Sequence, residues 1–205
     1  LRMQIGIPAV IRWAKENPEQ VLRALRIYND ALLGYVRDCK ALGIDGFFMP
    51  TQGGENIYNE VPDFFERFVR PFDMELMKEC TTGTDCNILH ICESGGHFTT
   101  STFNDYKDYP GSVINPPLHN WQDKGLTLKE ISQFFGRPVL GGLNNRSQAL
   151  KGGDLKELKA EVDEILKNAP ANFIFGADDS VFNDVDQEML RKLVDYIHTW
   201  RQTHK

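Results

Sequence analysis

Long apolar runs are missing from this 205-residue sequence: no stretch approaches the ~20 residues a helix needs to cross a bilayer, so a helical membrane span is excluded. Basic charge is in short supply too. Twenty-three Lys and Arg face 29 Asp and Glu, for a net charge of -6 and a pI near 5.4, and that balance argues against a nucleic-acid partner, which wants clustered cations. Cysteine is limited to Cys39, Cys80, Cys86 and Cys92 with no close CxxC pair, which excludes a zinc finger or a dense disulfide framework and points to reduced thiols in a cytoplasm. Leu1 to Trp13 lacks the zones of a signal peptide, so export is not expected, and the start on Leu rather than Met points to residues upstream. GxSxG, GxGxxG and GxxxxGK[ST] are all absent, leaving nucleophilic acyl chemistry and the common phosphate loops without support.

What is present is the composition of a soluble globular protein, 41% hydrophobic and 25% charged, long enough to bury a substantial core. Helical and strand-like stretches alternate. Apolar spacing predicts helices over Pro18 to Lys40, Pro62 to Cys80 with a kink at Pro71, Leu128 to Phe135, Leu155 to Leu166 and Asp186 to Trp200. Strands are predicted at Ile44 to Met49, halted by Pro50, at Asn87 to His90, Ser112 to Ile114, Pro138 to Leu140 and Asn172 to Phe175. Such a rhythm implies α/β architecture with parallel strands, either a doubly wound sheet or a (β/α)8 barrel. Polar residues gathered after each strand favour the barrel, although five strands fall short of the eight that closure requires.

Chemistry concentrates at those strand ends. His90 and Cys92, two residues apart on a strand, project to one side and supply two of the ligand types zinc prefers, with Asp179 the best third donor; ordinary burial of both residues is the competing reading. His97, after Gly95 and Gly96, is a candidate acid, base or hydrogen-bond donor. Thr51 with Gly53 and Gly54 offers a hydroxyl and backbone amides for a carboxylate, although a plain turn explains the glycines equally well. Gly141, Gly142, Asn144 and Arg146 place amides and a guanidinium after another strand, suited to a carboxylate or phosphate. Asp178 and Asp179 fit a general base or cation stabiliser, or else a helix cap.

Several of these stretches together resemble the uroporphyrinogen decarboxylase superfamily, from about Pro18 to Trp200. Pro50-Thr51-Gln52-Gly53-Gly54 sits where that family has an Asp-Ser-x-Gly-Gly-like loop, followed by Phe64-Phe65-Glu66-Arg67-Phe68-Val69-Arg70-Pro71. Ile88 to Cys92 with Gly96-His97, Val139 to Asn145, and Phe173 to Asp179 are similar to its later strands. The resemblance implies a (β/α)8 TIM barrel, with residues 1–205 forming the C-terminal part of a single domain, about five βα units, and three strands upstream. It implies cofactor-free decarboxylation of the acetate side chains of an acidic tetrapyrrole in porphyrin biosynthesis, in a cytoplasmic enzyme whose isolated C-terminal piece is inactive.

By the same resemblance the family's serine falls on Thr51 and its C-terminal histidine at or beside Asp179, making Thr51, His97 and Asp179 the catalytic candidates and Gly53, Gly54, Gly142, Asn144 and Arg146 the substrate-binding ones. A sister branch, the zinc-dependent corrinoid methyltransferases, is similar through His90 and Cys92, with Asp179 where that branch has a second cysteine. It implies zinc-assisted methyl transfer between a corrinoid and a thiol; a binder of tetrapyrrole or corrinoid without turnover is the third alternative. Exposed strand edges predict a homodimer or other self-association, with no nucleic-acid or membrane partner.

Overall fold

The computed structural model describes residues 2–92, 97–119 and 121–203. Seven α-helices, α1 (Arg2–Ile5), α2 (Ile7–Glu16), α3 (Pro18–Ala41), α4 (Arg70–Thr81), α5 (Leu128–Phe135), α6 (Leu155–Asn168) and α7 (Gln187–Thr203), are interleaved with five strands among the described residues: β1 (Phe48–Thr51), β2 (Ile88–Ile91), β3 (Val113–Asn115), β4 (Val139–Leu143) and β5 (Phe173–Ala177). None of the described helices is long and apolar enough to cross a membrane.

The chain forms two compact units and passes from one to the other inside β3. The first holds the chain through Ile114 together with residues 121–125. Here β1 and β2 pair in parallel, Phe48 opposite Ile88 through Thr51 opposite Ile91, and Val113 of β3 donates its amide to Asn87 O just ahead of β2. The core of this unit joins Val10, Ile11 and Ala14 of α2 and Val21 of α3 to Tyr58, Val61, Phe64 and Phe68. Helix α2 was not anticipated, yet its i, i+3, i+4, i+7 pattern, Ile7, Val10, Ile11 and Ala14, is that of an amphipathic helix.

Two boundaries in this unit correct the sequence reading. Strand β1 starts four residues later than expected and runs through Pro50. Phe47 O and Thr51 O accept the amides of Ile88 and Cys92, so residues of that parity face β2. Pro50, of the other parity, turns its nitrogen to the outer edge, where the missing N–H breaks no ladder bond. The distortion expected at Pro71 lies before it: a π-helical turn, Phe65–Val69, runs into α4, and its widened register accommodates Pro71 near the start of that helix.

The second unit comprises Asn115–His119 and the chain from Leu126. Strands β4 and β5 pair in parallel, Val139 opposite Phe173 through Leu143 opposite Ala177. Buried Asn115 cross-links them, its amide donating to Leu140 O at 2.9 Å and Ala177 O at 3.2 Å. Helix α5 opens on a capping box between Thr127 and Glu130 and closes at Gly136, and Asp154 caps α6. The core packs Leu158 and Val162 of α6 against Leu143, Leu150, Met189 and Leu193.

Candidate functional site

In the first unit the alternation of β1 and β2 sorts the candidate residues onto two faces. His90 is buried and stacks on Phe48, with ring centroids 5.1 Å apart, and Cys92 continues that face two residues on. Thr51 lies on the opposite face, toward α4, where its hydroxyl donates to Asp73 Oδ2 at 2.5 Å. Tyr109 OH donates to the same oxygen at 3.4 Å. Burial pushes the Asp73 carboxyl up to about 7, against the opposing effect of those two hydroxyls.

The amides after β1 have internal acceptors. Gly53 N–H donates to Glu55 Oε2 at 2.5 Å and Gly54 N–H to Tyr106 OH at 2.9 Å, so the loop is tied down by its own chain rather than presenting amides to a ligand. Glu55, almost wholly buried, also meets Arg2 at 3.4 Å. Gly53 has φ +114°, and an added Cβ would lie 2.5 Å from Val69 Cγ2, which accounts for the glycine without a ligand. His97 is half-buried, and its carbonyl accepts the Asn56 amide at 3.0 Å. The Gly95-Gly96 pair before it lies outside the described residues. All four cysteines are free thiols.

In the second unit the loops after β3, β4 and β5 converge on Asp178, a buried side chain. Its Oδ2 lies 2.6 Å from His119 Nδ1 and its Oδ1 accepts the Asn145 amide at 3.0 Å. The Asp178 amide donates to Leu143 O at 3.1 Å, fixing the residue from its own backbone. Both carboxylate oxygens are therefore engaged, and the imidazole, about one-third exposed, is held through Nδ1 with Nε2 left to act at the other end of the ring. A carboxylate placed in this way fixes the ring's orientation, the arrangement that acid–base histidines use.

Asp179 sits beside this pair but differs from it in environment: half-buried, it accepts the Ser180 amide at 2.6 Å. Asn144 is drawn into a local network, its amide donating to Glu161 Oε1 at 3.2 Å and its side-chain oxygen accepting the Arg146 amide at 2.9 Å, while the Arg146 side chain is exposed. Gly142, with φ +100°, would place a Cβ 2.6 Å from Ile165 Cγ2, so its place is set by the approach of α6. Sequence reasoning found Asp178 and missed His119, whose only local signal is its position four residues past a short strand. It also missed Asp73.

Residues 3–200 match the model of the uroporphyrinogen decarboxylase (URO-D) family. The chain belongs to the uroporphyrinogen decarboxylase family. That is a (β/α)8 barrel family, and the α/β chain with its parallel strand pairs has the make-up of a partial URO-D barrel. A search of curated proteins gave no match.

Proposed function

We propose that this URO-D family chain serves cofactor-free decarboxylation of the acetate side chains of an acidic tetrapyrrole, as part of a barrel that other strands complete. Family membership over residues 3–200 carries the reading. In that reaction a pyrrole ring takes a proton, the electrons of the C–C bond flow into the ring as CO2 leaves, and the exocyclic carbon is then protonated while the ring gives its proton back, so the net change is one CO2 lost for one proton gained. The chain must then supply a positioned proton donor. His119, oriented by Asp178, is the side chain that supports this role best, and exposed Arg146 beyond β4 is the candidate contact for a substrate carboxylate.

Protein spanning the whole barrel, incubated with uroporphyrinogen, should release CO2, and the 205-residue chain alone should not. A whole-barrel protein that binds the tetrapyrrole without releasing CO2 overturns the decarboxylase reading in favour of a binder.

The second reading, methyl transfer from a corrinoid to a thiol, draws on His90 and Cys92 sharing a face at the end of β2. An imidazole and a thiol suit zinc, and bound zinc would supply Lewis acidity to deprotonate the accepting thiol. Stoichiometric zinc in the purified protein, lost in Cys92→Ser, would decide for this reading.

A further inference from the structure

The first unit also holds a cleft of about 190 Å³ among α2, α3, α4 and the loop after β1. Its wall is aromatic: Tyr58, Phe64, Phe68 and Phe72 line it, with Tyr58 and Phe64 stacked at 4.5 Å between centroids. Its main polar groups besides Gln52 are Arg2 and Asp73. The Arg2 guanidinium is directed to Glu55, whereas Asp73 has no cation beside it among the described residues. Both hydroxyls that reach Asp73 go to Oδ2, leaving Oδ1 without a hydrogen-bond partner among the described residues. Without a cation beside it, this carboxyl keeps its proton up to about pH 7 and offers a counter-charge above that pH.

The rings of this wall already attract positive charge from the protein's own surface. The Arg67 guanidinium lies 5.1 Å from the Phe68 centroid and that of Arg26 5.7 Å from Phe72. An apolar cleft walled by aromatic faces with one carboxylate offers cation–π attraction and a counter-charge together, the combination that selects alkylated ammonium groups. A divalent metal is poorly served here, since it requires several oxygen ligands.

We propose that this cleft binds a small organic cation, an alkylated ammonium of about choline's bulk, with its charge toward Asp73 Oδ1 and its methyl groups against the Tyr58, Phe64, Phe68 and Phe72 wall. The site is separate from the chemistry proposed at His119 and does not depend on it.

The test uses choline and its neutral isostere 3,3-dimethylbutan-1-ol, titrated calorimetrically into the purified protein at pH 8.5, where Asp73 is ionised. Choline should bind and the alcohol should bind at least tenfold more weakly. Equal affinity for the two, or no choline binding, overturns the proposal. Asp73→Asn should weaken choline at least tenfold, and retention of full affinity in that variant overturns it as well. Should that variant not fold, the unmodified protein still decides: nuclear Overhauser contacts from the choline methyls to the Phe64 and Phe68 ring protons are expected, and bound choline lacking them lies elsewhere and sinks the assignment.

Discussion

His119 Nδ1 and Asp178 Oδ2 stand 2.6 Å apart across 59 residues of sequence, joining the segment after β3 to the end of β5 within one unit. The Asn145 amide on the other carboxylate oxygen means that the acid orients the ring while being oriented itself.

Asp178→Asn keeps an acceptor for Asn145 but removes the charge that fixes the imidazole. In whole-barrel protein it should lower the decarboxylation rate by about 10²-fold, in the range of positioned acid–base groups. A rate within about twofold of the parent, with the fold intact by circular dichroism, would remove His119 from the chemistry.

Asp73 makes stability depend on pH with a definite sign. The folded chain holds this proton up to about pH 7, while the unfolded chain releases it near the ordinary value of 3.8. Between the two the folded state binds more protons, so its contribution is greatest below 3.8 and is lost progressively as pH rises toward 7. Urea midpoints at several pH values across this window should fall more steeply with pH in the parent than in Asp73→Asn. Parallel slopes would show that the acid is ionised throughout.

Gly142→Ala combines an unfavourable positive φ with a Cβ 2.6 Å from Ile165 Cγ2. It should cost roughly 1–3 kcal/mol, read from the urea midpoint. An unchanged midpoint would mean that β4 and α6 separate freely.

Leu158 is completely buried in the core of the second unit, and Val194 on α7 is 42% exposed. Leu158→Ala should lose about 2–5 kcal/mol and Val194→Ala no more than about 0.5 kcal/mol by the same measurement. Similar losses at the two sites would contradict the packing of α6.

The alternation of helices and strands was legible because each element carries its own period, as α6 does through Leu155, Leu158, Val162, Ile165 and Leu166. Helix α2 went unread although its apolar period was there, because its start after Gly6 lacks a polar cap to flag it. Strand β1 was misplaced because a proline reads as a stop unless the strand is known to be an edge. The faces of β1 were fixed by register: Thr51 shares a strand end with candidate site residues, yet its hydroxyl turns to Asp73, 22 residues away. Asp73, between Phe72 and Met74 on a helix, reads as an ordinary surface acid until Thr51 and Tyr109 close over it. His119 with Asp178 belongs to the same class, in which long-range pairing, rather than local spacing, creates the chemistry.

Pro50 has a consequence for assembly. On the outer side of β1 the backbone presents the carbonyls of Phe48 and Pro50 but only the amide of Phe48. A neighbouring strand, whether from upstream sequence or from a second copy, meets a border rich in acceptors and poor in donors, and gains one ladder bond fewer at Pro50. Such a border favours a partner whose amides fall opposite those two carbonyls, so a single imino acid acts as a register key for whatever completes the sheet.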